Sequence, residues 1–170
     1  MDIPKEQYRK IIEKMPICCV DLVVTHKGKA LLILREDEPA KGEWSIPGGR
    51  VFKSEALEDA VKRKAKEELG INVTIKKMIG VYQTMYEQSA FGCSTHTINI
   101  AFVVETKENT IKSDGSWKEY KWVTTAKENI HDYAKKLLED SELFDKQTNK
   151  SKDVYHPADP FHFNGNGTSS

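Results

Sequence analysis

Glu55, Glu67 and Glu68 share one stretch with Arg63 and Lys64, just after the loop Pro47-Gly48-Gly49-Arg50. Residues four apart on a helix lie one above the other. Position 64 and Glu68 therefore stack, with Glu67 beside them. Carboxylates stacked this way suit hard cations such as Mg²⁺, which take oxygen ligands and keep waters and substrate phosphate. Charged residues at helical spacing alone also describe an ordinary solvated face. The preceding Trp44-Ser45-Ile46-Pro47-Gly48-Gly49-Arg50 shifts the balance, because paired glycines before a helix let backbone approach an anion closely. The chemistry indicated is the binding of a phosphate-bearing molecule through a cation and arginines.

These residues need a helix to hold them. Ser54 is placed as its cap, with Glu55, Glu58 and Asp59 favouring the first turn against the macrodipole. Leu57, Val61, Ala65 and Leu69 recur at helical intervals and form a buried face. Gly70 ends the helix by reaching a left-handed conformation.

The rest of the chain divides around this segment. Residues 4–15 carry Tyr8, Ile11, Ile12 and Met15 at helical spacing, and Pro16 stops that helix. Ile17 to Thr25 reads as a buried strand, and Gly28 turns it into a second, Lys29 to Leu34. Ile71 to Ile75 and Ile79 to Tyr86 read as two strands. A loop over 87–94 leads to a strand from Thr95 to Glu105, and Tyr120 to Val123 is a short one. Residues 126–146 read as a charged helix with Ile130, Ala134, Leu137, Leu138 and Leu143 inward. Strands interleaved with helices give an α/β domain over 1–147. Residues 148–170 form a C-terminal extension whose last six residues read as disordered. Its VYHPADPFHF stretch has aromatics able to fold back on the domain. His156 and His162 lack any standard metal-ligand spacing.

Composition excludes other classes. At 170 residues the chain makes about one domain. Its 26 basic and 26 acidic side chains give no net field toward nucleic acid or membrane. No apolar run approaches the ~20 residues of a membrane span. The opening residues have no signal-peptide character. Cys18, Cys19 and Cys93 are odd in number and lack metal spacing, so they read as buried thiols in a reducing compartment. A cytoplasmic location is expected.

The stretch GRVFKSEALEDAVKRKAKEELGI, Gly49 to Ile71, resembles the Nudix box of the Nudix hydrolases. Gly49, Glu55, Arg63, Ala65, Glu67, Glu68, Gly70 and Ile71 fall at the positions of that pattern. Lys64 departs from it, standing where the pattern has a glutamate that commonly binds metal. The resemblance implies a Nudix fold, an α/β/α sandwich on a mixed β-sheet with the box as loop-helix-loop. It also implies a Mg²⁺ (or Mn²⁺) cofactor and a nucleotide-type small-molecule substrate.

Residues 4 to 125 are further similar to the GDP-mannose mannosyl hydrolases. The resemblance lies in EQYRKIIEKMPICCVDLVV, LLILREDEPAKGEWSIPGGRV and GVYQTMYEQSAFGCSTHTINIAFVV. That subgroup also lacks the first glutamate of the Arg-Glu pair. The resemblance implies Glu68 and the Gly49 carbonyl as ligands of one Mg²⁺, with Glu67 beside them. It puts Arg35 and Arg50 on the diphosphate, uses Arg63 to orient Glu67 or Glu55, and pairs subunits as a homodimer through the N-terminal segment. Lys64, one turn before Glu68, reaches that carboxylate and opposes a multi-metal cluster by repulsion and ligand loss, or else faces phosphate as a fixed cation.

The resemblance breaks before Tyr120-Lys121-Trp122. Ser116 and Trp117 stand where the subgroup has a Gln that completes the metal site and a His that serves as base. An indole has no acceptor and no useful pKa. Asp114 and Glu119 remain as carboxylates able to bind metal or activate water. Trp44 and Trp117 are candidates to stack on a base, and His96 is a candidate substrate contact. Three function classes follow: hydrolysis of a nucleoside diphosphate linked to another group, a nucleotide sugar foremost; a pyrophosphohydrolase of nucleoside triphosphates or ADP-ribose-like compounds; and a non-catalytic nucleotide-sugar binder.

Overall fold

The structure, a computed structural model, describes residues 3–126 and 129–144 and the backbone of 161–163. Its helices are α1 (Lys5–Ile12), α2 (Leu57–Leu69) and α3 (Asp132–Asp140). Its strands are β1 (Ile17–His26), β2 (Lys29–Arg35), β3 (Trp44–Ser45), β4 (Gly48–Arg50), β5 (Thr74–Tyr86), β6 (Thr95–Glu105), β7 (Trp117–Val123) and β8 (Phe161–Phe163). They form one mixed sheet in the order β3-β2-β1-β6-β5-β8, with β4 on β1 and β7 on β2. β1 runs parallel to β6, and β5 antiparallel to it. This is the α/β/α Nudix architecture expected.

The period of two along a strand builds the sandwich. Val20, Leu22 and Val24 of β1 point to one face and meet Val61, Ala65 and Leu69 of α2. Val23 points to the other face, toward Tyr133, Ala134, Leu137 and Leu138 of α3. Both sides of β1 are therefore dry, which explains its near-continuous apolar run. Each fully buried Val or Leu in these layers contributes about 1.5–3 kcal/mol.

β1 and β2 pair only at their hairpin end, Thr25 with Ala30 and His26 with Lys29. Farther along they part, and β4 takes the vacated edge of β1 at Cys19 to Asp21. The Leu22 N–H donates to the Pro47 carbonyl at 3.0 Å, and Val51 N–H to the Cys18 carbonyl at 2.9 Å. The glycine loop is thus stitched into a gap in the sheet.

Several boundaries differ from expectation. Ser54 does not cap α2. Ala56 is the N-cap residue, and Ser54 sits in the turn before it at φ 65°. Glu55 instead accepts from the Phe52 N–H at 2.9 Å, which tightens that turn. The two strands expected over 71–86 are one, β5, whose irregularities near Lys77 and Gly80 break the alternation a sequence reading relies on. Ile71 is buried after the helix rather than in the strand. α3 is shorter than 126–146 because His131 caps it, its ring accepting from the Tyr133 N–H at 3.3 Å. Met15 is 57% exposed rather than inward, and Cys18 is exposed rather than buried. No described helix is long and apolar enough to cross a membrane. The expected disorder of the last six residues, and His156, lie outside the described residues. The backbone of 161–163 runs parallel to β5 at Thr84–Tyr86.

Candidate active site

A cleft of about 290 Å³ opens where β1 and β2 part. Asp21, Arg35, Gly48, Gly49, Arg50, Tyr86 and Tyr133 line it, with Tyr8 and Phe91 at one side and Thr84, Thr97 and Asn99 along the sheet. Gly48 is forced by close approach. A Cβ there would meet the Asp21 carboxylate and the Val20 carbonyl oxygen, the latter at 2.6 Å. Backbone and carboxylate are thereby packed against each other at the cleft floor.

Behind this floor, α2 delivers Glu68. It is the buried carboxylate of the core, 8% exposed. One oxygen accepts from the Gly48 N–H at 3.2 Å, and the other contacts the Lys64 ammonium. Burial pushes the Glu68 pKa up, Lys64 opposes that, and the charge of Asp114 adds to it. The C-terminal end of α2 is fixed by Gly70 at φ 70°, by the Trp117 indole N–H donating to the Glu68 carbonyl at 3.0 Å, and by Lys112 N–H donating to the Leu69 carbonyl at 2.9 Å.

One residue before Lys64, the Arg63 guanidinium is held by four hydrogen bonds. It donates to Glu55 at 2.6 and 2.8 Å, to Glu67 at 2.9 Å and to the Arg50 carbonyl at 3.0 Å. Its plane also lies over Phe52 at 3.8 Å. Arg63 holds Glu55 well down, to about 2. With four of its five N–H donors engaged, Arg63 shapes the loop, and Glu67 is its partner at the rim.

Arg35 and Arg50 reach the cleft from different elements. Arg35 ends β2 and donates through Nε to the Pro39 carbonyl at 2.7 Å. Arg50 ends β4 and stacks over Tyr8, 4.6 Å from the ring centre. Tyr8 in turn sets its edge on Phe91. Asp21 faces them with the Tyr133 hydroxyl donating to it at 2.5 Å. Desolvation pushes Asp21 up to about 6, and the Tyr133 hydrogen bond and the Arg35 charge oppose that.

Other candidates fall elsewhere. Trp117 is 4% exposed and packed in the α2-side core, so its faces are closed to a stacking base. Trp44 is half-buried against the α3-side core, with the Lys121 ammonium 4.5 Å over its ring. His96 bonds Gln83 at 3.1 Å and borders a separate hollow with Ile12, Met15 and Met85. Glu119 is exposed on β7 opposite Leu34. Asp114 is the loop carboxylate whose charge reaches Glu68, and it accepts from the Ser116 N–H at 2.9 Å. Asp21, Tyr86 and Tyr133 line the cleft without having been singled out as site residues. Asp21 carried a signal, a charge inside the apolar run ICCVDLVVT. Tyr133 carried none, since its contact spans 112 positions of the chain.

No three His, Cys, Asp or Glu side chains gather into a metal cage among the described residues. The site nevertheless fits one Mg²⁺, which is held by one or two carboxylates with substrate phosphates completing its shell. Glu68, buried and aimed at the glycine loop, is a carboxylate that could take that role.

Comparison with known proteins agrees with this geometry. The NUDIX domain model matches residues 16–143. The low-salt glycan biosynthesis protein Agl8 of Haloferax volcanii is 38% identical over 139 residues, 81% of this chain and 89% of that one. The ADP-ribose pyrophosphatase of Methanocaldococcus jannaschii is 33% identical over 125 residues, 68% of this chain and 72% of that one. Among solved structures, the MutT protein from Methanosarcina mazei superposes with a TM-score of 0.63 at 25% identity, covering 79% and 99% of the two chains. The MutT NUDIX hydrolase from Burkholderia pseudomallei gives 0.62 at 23% identity, covering 75% and 98%. Nudix hydrolases generally use divalent metals and act on nucleotide-type small molecules. The chain carrying this glycine loop, α2 and cleft belongs to the NUDIX domain family and is a Nudix hydrolase.

Proposed function

We propose that this protein hydrolyses a nucleoside diphosphate linked to another group, a nucleotide sugar of the GDP-mannose type, with Mg²⁺ held by Glu68 and the Gly49 carbonyl. The observation that carries the reading is the make-up of the cleft. Arg35 and Arg50 line it together with the Gly48-Gly49 backbone, and Glu68 stands directly behind Gly48. Two guanidinium groups and a cation site match a diphosphate, whose charge grows on the leaving nucleotide as the bond breaks. Along the sheet Thr84 and Asn99 are buried and bonded to each other, and the half-buried Thr97, bonded to Thr84 at 2.6 Å, is the hydroxyl left toward a sugar. The glycan-biosynthesis name of the Haloferax volcanii relative points the same way.

The bound cation would neutralise diphosphate charge and polarise phosphorus. Arg63 keeps Glu55 and Glu67 in place, and Arg35 and Arg50 orient the diphosphate. Asp114, near Glu68, is the carboxylate best set to draw a proton from attacking water, with Glu119 second. Attack at phosphorus is favoured over the sugar carbon. A carbon route needs a base beside the anomeric centre, and Trp117 fills that position and is packed in the core. The chain works as a homodimer to which α1 contributes.

A second reading, pyrophosphohydrolysis of ADP-ribose-like compounds, is favoured by the Methanocaldococcus jannaschii relative. A screen of nucleotide sugars, ADP-ribose and nucleoside triphosphates with Mg²⁺ separates the two, reading free sugar and phosphate products. Preferred turnover of a nucleotide sugar is expected. Turnover confined to triphosphates would remove the proposal.

A further inference from the structure

Lys64 stands one turn before Glu68, at the place where the glycine loop meets α2. Its ammonium contacts one Glu68 oxygen while the Gly48 N–H takes the other at 3.2 Å. Both side chains are largely enclosed, 15% and 11% exposed. The stem of Lys64 is pressed onto the loop as well, for a Cβ on Gly49 would come within 2.8 Å of its Cε. A cation that binds this oxygen of Glu68 must take the place the ammonium now fills.

We propose that Lys64 is the resident counter-ion of Glu68, exchanged for a divalent cation, and that the released ammonium then serves the substrate diphosphate. The proposal rests on the diphosphate reading above. A buried carboxylate without a partner is costly, so the free enzyme needs a cation on Glu68 at all times. Lys64 supplies it as a point charge on a flexible stem, able to swing where Arg63, locked by its bonds, cannot. Release needs a new anion for the ammonium. Glu67 is 3.7 Å away but already accepts from Arg63. The mouth that Lys64 borders carries Lys5, Arg50 and Arg63 against the one carboxylate Glu67, a net positive rim that repels a loose ammonium and attracts phosphate. Binding of Mg²⁺ and of diphosphate therefore favour each other, by linkage through one side chain.

Calorimetry on the full chain tests this, with Mg²⁺ alone and with its complex with non-hydrolysable methylenediphosphonate. Lys64→Gln is expected to bind Mg²⁺ alone at least tenfold more tightly than the wild type. The wild type is expected to gain at least tenfold in Mg²⁺ affinity with the diphosphonate, and Lys64→Gln less than threefold. Lys64→Arg, which keeps the charge but offers Glu68 a bidentate guanidinium, should bind Mg²⁺ alone no more tightly than the wild type and gain less from the diphosphonate. Equal or weaker Mg²⁺ binding by Lys64→Gln, or an equal diphosphonate gain in both proteins, overturns the proposal. Should Lys64→Gln unfold without Mg²⁺, the Mg²⁺ dependence of its Tm gives the same affinity by mass action. Failure of the diphosphonate to bind either protein counts against the substrate reading alone, while tighter Mg²⁺-only binding by Lys64→Gln still supports the exchange.

Discussion

Arg63 and Lys64 are neighbours on α2, and each holds a carboxylate, yet those carboxylates respond in opposite directions. Glu55, paired with Arg63, is held down to about 2. Glu68, paired with Lys64, is pushed up by burial despite its partner. The difference lies in how completely each charge is satisfied. Glu55 accepts two bonds from a planar fork and a third from the Phe52 N–H. Glu68 has one ammonium and one long backbone bond in a largely buried site. A bidentate guanidinium suits a permanent joint, and a lone ammonium suits an exchangeable one. One helix thus carries a fixed network that shapes the loop and a second pair poised for a stronger cation.

The largest effect should come from the exchangeable side. Glu68→Gln is expected to lower Mg²⁺-dependent turnover by well over tenfold, since the missing anionic ligand costs several kcal/mol of charge stabilisation. Steady-state kinetics across Mg²⁺ concentrations checks it, and near-wild-type activity would break the contrast between the two pairs.

The fixed side should show itself in stability. Arg63→Ala leaves Glu55 enclosed without its fork, and a loss of about 3 kcal/mol is expected from urea unfolding. Mg²⁺ affinity should change little, because Glu68 keeps Lys64 and Gly48. A variant that unfolds normally but loses Mg²⁺ binding would merge the two networks into one.

Acid sharpens the same comparison. The folded pKa of Glu55, about 2, lies below the ~4.3 of a free glutamate. Its stabilisation is complete above that value and disappears as pH falls toward 2. Asp21 has the opposite sign. Its folded pKa of about 6 exceeds the unfolded ~3.9, so its contribution is present below pH 4 and lost as pH rises through 6. In pH-dependent urea melts, Arg63→Gln should flatten the acid limb and Asp21→Asn the limb between pH 4 and 6.

The smallest effect is at the N-terminus. Ile12 is buried, whereas Met15 is 57% exposed at the end of the helical segment. Light scattering should find a dimer for the whole chain and a weakened one after removal of residues 1–15. A monomeric whole chain would remove the dimer, and an intact dimer after deletion would remove the role of α1.

The sequence made the α2 side of this comparison legible, because helical period and glycine ends are local. Val61, Ala65 and Leu69 are buried as their spacing requires, and Lys64 reaches Glu68 because residues four apart must. The α3 side was not legible. Tyr133 meets Asp21 only after the whole sheet has formed between them. The sequence alone places a helix start at 126, and the His131 cap shows where α3 begins. β5 looks like two strands in sequence because its irregularities shift the alternation of Lys76, Lys77 and Met78. Trp117 looked available for stacking because a lone indole in a polar loop gives no hint that its N–H will lock the end of α2.

The chemistry of the cleft is tested most directly by hydrolysing GDP-mannose in heavy-oxygen water with Mg²⁺ and locating the label by mass spectrometry. A cation on Glu68 and two arginines on the diphosphate, with no base beside the sugar, predict label in a phosphate product. Label found only in the released sugar would contradict the account and place a substitute base at the anomeric carbon.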